Sequence, residues 1–352
     1  MKKITTQLID WHRNNVRDHP WKKTKDPYKI WISEIILQQT RTDQGSPYYE
    51  KFVKLFPTVF DLAKAENDEV MKAWQGLGYY SRARNIHHTS KIIVDTYKGK
   101  FPSNYHEILN LKGIGLYSAA AISSFAFELP HPVIDGNVLR FFARFLGITD
   151  ALDSSSTRKK ILEVLEKCIV HAKPSEFNQA IMDMGALVCT PRNPKCESCP
   201  VCASCVAFAE ELTESIPIKR KKISRRDRFF HYLILLDSIG NTFIHRREEK
   251  DIWAKLYQFP LIENDTIKNL SKAHLQKAVL AFGLATNDWN LSRILEGKKH
   301  VLSHQDIHAK YYVIESKRTL KIKDLNYNLV KRKNLMKFAL PRMIDRIIPL
   351  LN

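Results

Sequence analysis

Upstream of residue 217 the apolar positions recur every three or four residues, the spacing of one face of an α-helix. Asp26-Pro27 supplies an N-cap and a residue suited to the first helical position, and Trp31, Ile32, Ile35 and Ile36 continue as the apolar stripe. The same spacing predicts helices near Tyr48–Leu55, Asp68–Trp74, Ser81–Tyr97, Tyr117–Phe127, Asn137–Leu146, Thr157–His171 and Phe177–Val188. No two-residue alternation competes, so this part reads as all-α. Downstream the period changes. Phe229–Leu236 and Thr242–Arg246 are β-rich runs flanking Asp237-Ser238-Ile239-Gly240-Asn241, which reads as a hairpin turn. Tyr311–Ser316 reads as another strand, and Leu270–Phe282 and Leu340–Leu350 as helices, giving an α+β part. Between the two lies Pro217-Ile218-Lys219-Arg220-Lys221-Lys222-Ile223-Ser224-Arg225-Arg226, basic and without an acidic or aromatic residue, as in an exposed linker. The expected domains are residues 1–216 and 228–352, joined by a linker at 217–227.

Charge adds a partner to this picture. The 352 residues carry 56 Lys and Arg against 37 Asp and Glu, a net +19. The excess is not a tail: residues 1–225 hold 33 basic and 24 acidic groups, and residues 226–352 hold 23 and 13. Both halves suit a polyanion, either nucleic acid or an anionic membrane. The longest apolar runs, such as Ala119–Ile122 and Leu233–Leu236, are far too short to span a bilayer. The start of the chain has no signal-peptide core, so a soluble, cytoplasmic protein is expected. At 44% hydrophobic and 26% charged residues, global disorder is excluded.

Five of six cysteines fall between residues 189 and 205, which reads as a metal or iron–sulfur site in a reducing compartment, not a disulfide framework. Cys189, Cys196, Cys199 and Cys205 suit either tetrahedral zinc or a [4Fe–4S] cluster. Zinc sites usually come as two CxxC pairs; one CxxC between single cysteines, in a loop with Pro191, Pro194 and Pro200, favours the cluster. Cys202 is a spare that permits an alternative ligand set. Cys168, at an apolar position of a predicted helix, reads as core packing.

Three further groups carry candidate chemistry. Leu111-Lys112-Gly113-Ile114-Gly115 lies between two helices, and its glycines allow a tight turn whose backbone N–H groups hold a phosphate; an ordinary helix–helix turn also uses glycine. Gly76-Leu77-Gly78-Tyr79-Tyr80-Ser81-Arg82-Ala83-Arg84 presents two tyrosines beside two arginines, as a base-extruding protein requires, or else a solvated helix start. Glu34 is either a buried carboxyl of raised pKa, fit for general acid work, or a member of a polar stripe with Gln38. Asp135, just before a predicted helix, is an N-cap or an anion facing a positive sugar centre, or both.

Together these motifs resemble the MutY adenine DNA glycosylases of the helix-hairpin-helix, endonuclease III-like superfamily. The likeness rests on Pro20-Trp21, Ser33-Glu34-Ile35-Ile36-Leu37-Gln38-Gln39-Thr40, Gly76-Leu77-Gly78-Tyr79-Tyr80, Gly113-Ile114-Gly115, Asp135-Gly136-Asn137-Val138 and the C-x6-C-x2-C-x5-C array, and it covers essentially the whole chain. It implies a mainly α fold: a two-subdomain helix-hairpin-helix core with a [4Fe–4S] loop, followed by an α+β Nudix-like domain. It further implies a monomer that acts on double-stranded DNA, with no membrane role, and removes adenine mispaired with 8-oxoguanine or guanine. Glu34 matches the general acid, and Asp135 the carboxylate that stabilises the oxocarbenium-like sugar. Tyr117 and Asn137 match positions that orient these groups, and Gln179 one that contacts the flipped adenine. Tyr79 and Gln39 match residues inserted near the unpaired 8-oxoguanine. Gly113 and Gly115 would hold a DNA phosphate, and Cys189, Cys196, Cys199 and Cys205 the cluster. Lyase relatives place a lysine where Tyr117 stands, so a monofunctional glycosylase is expected.

In the second half, Trp253-Ala254-Lys255-Leu256-Tyr257-Gln258-Phe259-Pro260 and Val301-Leu302-Ser303-His304 resemble the family's recognition domain, with Ser303 and His304 expected to read the lesion. Lys255 stands where the family often has glycine, and Leu302 where it often has phenylalanine. No R-E-x-x-E-E box is present, since Arg246-Arg247-Glu248-Glu249 lacks the following acids, so nucleotide pyrophosphohydrolysis is not expected. A DNA-binding protein without chemistry is a rival reading, opposed by the joint presence of Glu34 and Asp135.

Overall fold

The computed structural model describes residues 1–218, 224–248, 251–321 and 326–351. The chain divides into two compact units, Met1–Lys64 with Asn85–Lys221, and Ala65–Arg84 with Lys222–Asn352. Residues 65–84, expected within the helical domain, thus group with the C-terminal residues. Polar contacts explain the grouping. Asp68 pairs with Arg246 at 2.8 Å and accepts the Tyr257 hydroxyl at 2.8 Å, and the Lys72 ammonium donates to the Phe338 carbonyl at 3.0 Å. Of the basic seam, residues 219–223 lie outside the described residues, and the first strand begins at Arg226, inside the expected linker.

The first unit is helical, as expected. Its long elements are α1 (Lys2–Arg13), α2 (Pro27–Leu37) and α3 (Thr42–Leu55). The short α4 (Val59–Lys64) follows; α5 (Asn67–Ala73) belongs to the second unit, and α6 (Ser81–Tyr97) runs from the second unit into the first. Then come α7 (Tyr105–Asn110), α8 (Leu116–Phe127), α9 (Gly136–Phe145), α10 (Ser155–Ile169), α11 (Pro174–Leu187) and the single turn α12 (Val206–Ala209). The Asp26 carboxylate accepts from the Tyr28 N–H at 2.9 Å and starts α2, whose residues 30–36 are all buried. A helix buried all round belongs at the centre of its unit, and α2 packs against α3 and α8. α1, a helix the sequence reading left out, carries its own buried stripe of Thr5, Leu8, Ile9 and His12 and packs on α11. α3 starts six residues before the predicted Tyr48. Pro47 sits inside it, near the open end, where one lost backbone hydrogen bond is tolerated.

The second unit holds β1 (Arg226–Asp237), β2 (Asn241–Arg246), β3 (Tyr257–Gln258), β4 (Leu261–Asn264), α13 (Lys272–Leu280), β5 (Trp289–Glu296), β6 (His300–Val301), β7 (Gln305–Ser316), β8 (Tyr327–Lys331) and α14 (Arg342–Asp345). One sheet has the order β4-β1-β7-β5, with β6 also on β7, and the other the order β3-β2-β8. The pairing departs from the expected hairpin. β1 lies parallel to β7 along its whole length, and β2 enters the other sheet. Asp237 makes that corner. Its carboxylate accepts from the N–H of Ile239 at 3.2 Å and of Asn241 at 2.7 Å, from the Asn241 amide at 2.9 Å and from the Leu320 N–H at 3.0 Å. The helix expected over Leu340–Leu350 is instead the single turn α14, which Pro341 precedes as N-cap, and a 3₁₀ turn at Ile348–Leu351 that contains Pro349. Leu233, Leu235, Phe243, Val279, Tyr312 and Ile314 lie in the core between sheet and helix. Among the described residues, no helix is long and apolar enough to cross a membrane.

Burial favours a protonated Asp237, yet the donors outweigh it and hold the carboxyl below its usual pKa. We expect Asp237→Ala to lower stability by about 2–3 kcal/mol, because it leaves buried N–H donors unpaired. Urea unfolding followed by circular dichroism measures this; an unchanged midpoint would refute the role of the corner.

Candidate active site

α2, α8 and α9 bring Glu34, Tyr117, Asp135 and Asn137 together. Glu34, 6% exposed, takes a hydrogen bond from Tyr117 in the first turn of α8. Burial is the largest influence and pushes its pKa up to about 7; the Tyr117 hydrogen bond opposes this, and the nearby Asp135 charge adds to it. Burial and the same two carboxylates raise Tyr117 well above its ordinary value. Asp135 caps α9. One oxygen accepts from the Val138 N–H at 2.7 Å, the other from the Asn137 amide at 3.0 Å. Burial still raises its pKa against these donors.

A second layer holds this pair in place. The Asn137 carbonyl oxygen accepts from Arg140 at 2.8 Å, and Arg140 also donates to the carbonyls of Cys189 at 2.8 Å and Gly185 at 2.6 Å. At Gly185 any Cβ would lie 2.7 Å from the Asn137 backbone oxygen, so only glycine lets α11 approach the first turn of α9 this closely.

Glu34 also lines a solvent-open cavity of about 130 Å³ with His12, Trp21, Lys22, Phe125 and Gln179. Gln179 lines the same cavity as Glu34. The sequence reading missed the ionic network beside it. Asp183 is fully buried, receives Arg17 at 2.7 Å and Lys22 at 2.8 Å, and lies 3.4 Å from the unpartnered Nδ1 of His12. Burial lowers the pKa of both His12 and Lys22. The available signal was an aspartate one residue from Met184 on the buried face of a helix. Gln38 donates to the Ser118 hydroxyl at 3.1 Å, and Gln39 is exposed with a left-handed backbone, φ 56°. Gly113 has φ 84°, and Gly115 precedes α8 with open space around it, so the first N–H groups of α8 carry no side-chain cap.

The cysteine loop forms a second constellation in this unit. Cys189, Cys196, Cys199, Cys202 and Cys205 are free thiols lining one cavity, with Phe141, Phe145, Val188, Val201 and Phe208 among its walls. Arg144 donates to the Cys189 sulfur at 3.4 Å and to the Thr190 carbonyl at 2.7 Å. Burial, with the charges of the neighbouring thiols adding to it, pushes Cys199 up to about 12. Cys168 is buried in α10, away from this cavity, as core packing requires. Among the described residues, no three His, Cys, Asp or Glu side chains converge as on a single metal ion.

In the second unit Tyr79 is 46% exposed with φ 46°, and its hydroxyl lies 2.6 Å from that of Ser303. Arg82 stacks on Tyr79 and Trp74. Ser303 and His304 are exposed in the turn between β6 and β7, closed by the Leu302 N–H donating to the Gln305 carbonyl at 2.9 Å. Lys255 takes a left-handed backbone, φ 68°, which accounts for the glycine often found there in the family it resembles. Arg247 is buried in bonds to Gln258, Asp251 and the Ile252 carbonyl; Glu249 lies outside the described residues.

Residues 32–167 match the HhH-GPD superfamily of base excision DNA repair proteins, and residues 231–350 match the NUDIX domain family. The chain is 38% identical over 261 residues to the adenine DNA glycosylase of Buchnera aphidicola subsp. Schizaphis graminum, covering 73% of this chain and 74% of that protein. It is 33% identical over 348 residues to the adenine DNA glycosylase of Buchnera aphidicola subsp. Baizongia pistaciae, covering 97% and 94%. An endonuclease III structure, solved in a non-covalent complex with DNA, superposes with a TM-score of 0.52 over 60% of this chain and 98% of that one, at 22% identity, and shares its fold.

The Glu34 carboxyl sets a stability test. Its pKa rises on folding from 4.5 to about 7, so the unfolded chain releases this proton first and stability falls as pH climbs through that window. Glu34→Gln removes the penalty. We expect the variant to be more stable by up to about 3 kcal/mol at about pH 8, with the gain gone below the ordinary carboxyl range. Denaturant titrations of both proteins at the two pH values check this, and equal stability at the higher pH would contradict the burial argument.

Proposed function

The chain belongs to the adenine DNA glycosylase family, and from that premise we propose that it excises adenine opposite 8-oxoguanine or guanine in double-stranded DNA. One observation carries the reading: a buried carboxyl of raised pKa, Glu34, in the wall of a solvent-open cavity, beside a second carboxylate held by a helix start. Chemistry on a base requires it to leave the stack, and such a cavity receives it.

Glu34 gives its proton to adenine N7. The glycosidic bond then breaks with its electron pair moving to the base, which departs as neutral adenine. The positive charge left on the sugar faces the Asp135 carboxylate, which stabilises or captures it. Water adds its oxygen at C1′ and its spare proton passes to a carboxylate. Asn137 fixes Asp135 through the 3.0 Å amide contact, and Tyr117 orients Glu34. Tyr117 cannot form a Schiff base, so the strand stays intact. Gln179 meets the base edge, and the amides at Gly113 and Gly115 hold a backbone phosphate. In the second unit, Tyr79, Ser303 and His304 contact the opposite base.

The donor set of the loop suits a [4Fe–4S] group: free thiols around one apolar-walled cavity, beside a guanidinium, where burial disfavours thiolates that have no metal partner. Cys189, Cys196, Cys199 and Cys205 would hold it, and the group bound there would tie the loop to α9, the helix that Asp135 caps.

Single-turnover cleavage of a duplex with one A:8-oxoguanine pair, developed with alkali, tests the reading. Activity falls as pH rises through about 7, and Glu34→Gln loses about 10²–10⁴-fold in rate while still binding DNA. Full activity in that variant would remove Glu34 from the mechanism. Ser303→Ala with His304→Ala lowers the rate on A:8-oxoguanine toward that on A:G, since a contact to a base edge discriminates by about 1–3 kcal/mol. Equal loss on both duplexes places lesion reading elsewhere.

A further inference from the structure

Counted from Cys196 onward, the loop reads C-x2-C-x2-C-x2-C, ending at Cys205. The spare thiol, Cys202, therefore sits in register with its neighbours. The backbone repeats as well. Cys196–Ser198 and Cys202–Ser204 are successive 3₁₀ turns, each opened by a cysteine and closed by another. The closing residues, Cys199 and Cys205, have nearly the same backbone angles, φ −80° and ψ 122° against φ −87° and ψ 116°. Each closing N–H donates to the carbonyl of its opening cysteine at 3.0 Å. Cys202 thus holds in the second turn the place that Cys196 holds in the first. It lines the same cavity as the other four thiols and is only half-buried.

We infer that Cys202 is a reserve ligand of the iron–sulfur group, placed to take the corner held by Cys196. The inference rests on the reading of the loop as a [4Fe–4S] site. Cys196 is the ligand to be replaced, because it opens the equivalent turn and is itself only half-buried, whereas Cys189 is buried and held by Arg144. The exchange involves no electron transfer. The iron–sulfur bond to Cys196 breaks and that thiolate takes up a proton; the Cys202 thiol releases its proton to solvent as its sulfur bonds the same iron.

Four full-length proteins decide the matter: the unaltered chain, Cys202→Ala, Cys196→Ala, and both changes together. Each is purified without reconstitution, checked for helical content by circular dichroism, and assayed for iron and acid-labile sulfide. Thiol accessibility is read by alkylation and mass spectrometry. We expect about four irons per chain in the first three and almost none in the double variant. Cys202 should be alkylated in the unaltered protein and protected in Cys196→Ala. Should Cys196→Ala fail to fold, Cys196→Ser is read for the same protection. Iron loss in Cys196→Ala equal to that of the double variant, or Cys202 remaining open to alkylation when Cys196 is replaced, overturns the reserve role. An unaltered protein containing zinc or no iron overturns the cluster reading itself, and the reserve role with it.

Discussion

The placement of α9 is the constraint on which the first unit depends. Its N-terminus fixes Asp135 through the Val138 and Asn137 donors, and its buried phenylalanines anchor it. Two arginines on the same helix spend their donors on backbone carbonyls: Arg140 on Cys189 and Gly185, Arg144 on Thr190 and Ile216. Carbonyls that would otherwise be unpaired become the means by which α11, the cysteine loop and the segment after it are held to one helix. Both guanidiniums are largely buried, so each lost contact would leave a buried donor without a partner.

The two carboxyls share a site but not an environment. Glu34 lies in the interior of α2 with one hydroxyl as its partner, while Asp135 has donors from its own helix turn. Both are raised by burial, and for Glu34 the Asp135 charge adds to that effect while the Tyr117 hydrogen bond opposes it. The proposed division into acid and counter-ion rests on that contrast, without any change of residue type.

Much of this was legible in the chain. Asp26-Pro27 marked α2 because cap and proline act locally, and the cysteine spacing marked the loop because its thiols are close in sequence. What depended on distant partners was not legible. Nothing near Asp183 announces Arg17 and Lys22, which arrive from the opposite end of the unit. The turn at Asp237 has hairpin composition, yet its carboxylate also binds the Leu320 N–H, and β1 pairs with β7 far along the chain. Lys255 shows the converse: its left-handed backbone overrides what its side chain would favour.

The inclusion of residues 65–84 in the second unit has a consequence for how the molecule is made. During synthesis, domains generally fold in the order in which they emerge. Here Asp68 and Lys72 leave the ribosome long before Arg246, Tyr257 and Phe338 exist. Residues 65–84 must therefore wait, already translated, for partners that have yet to be made. The last strands to appear complete a structure whose opening piece was laid down near the start.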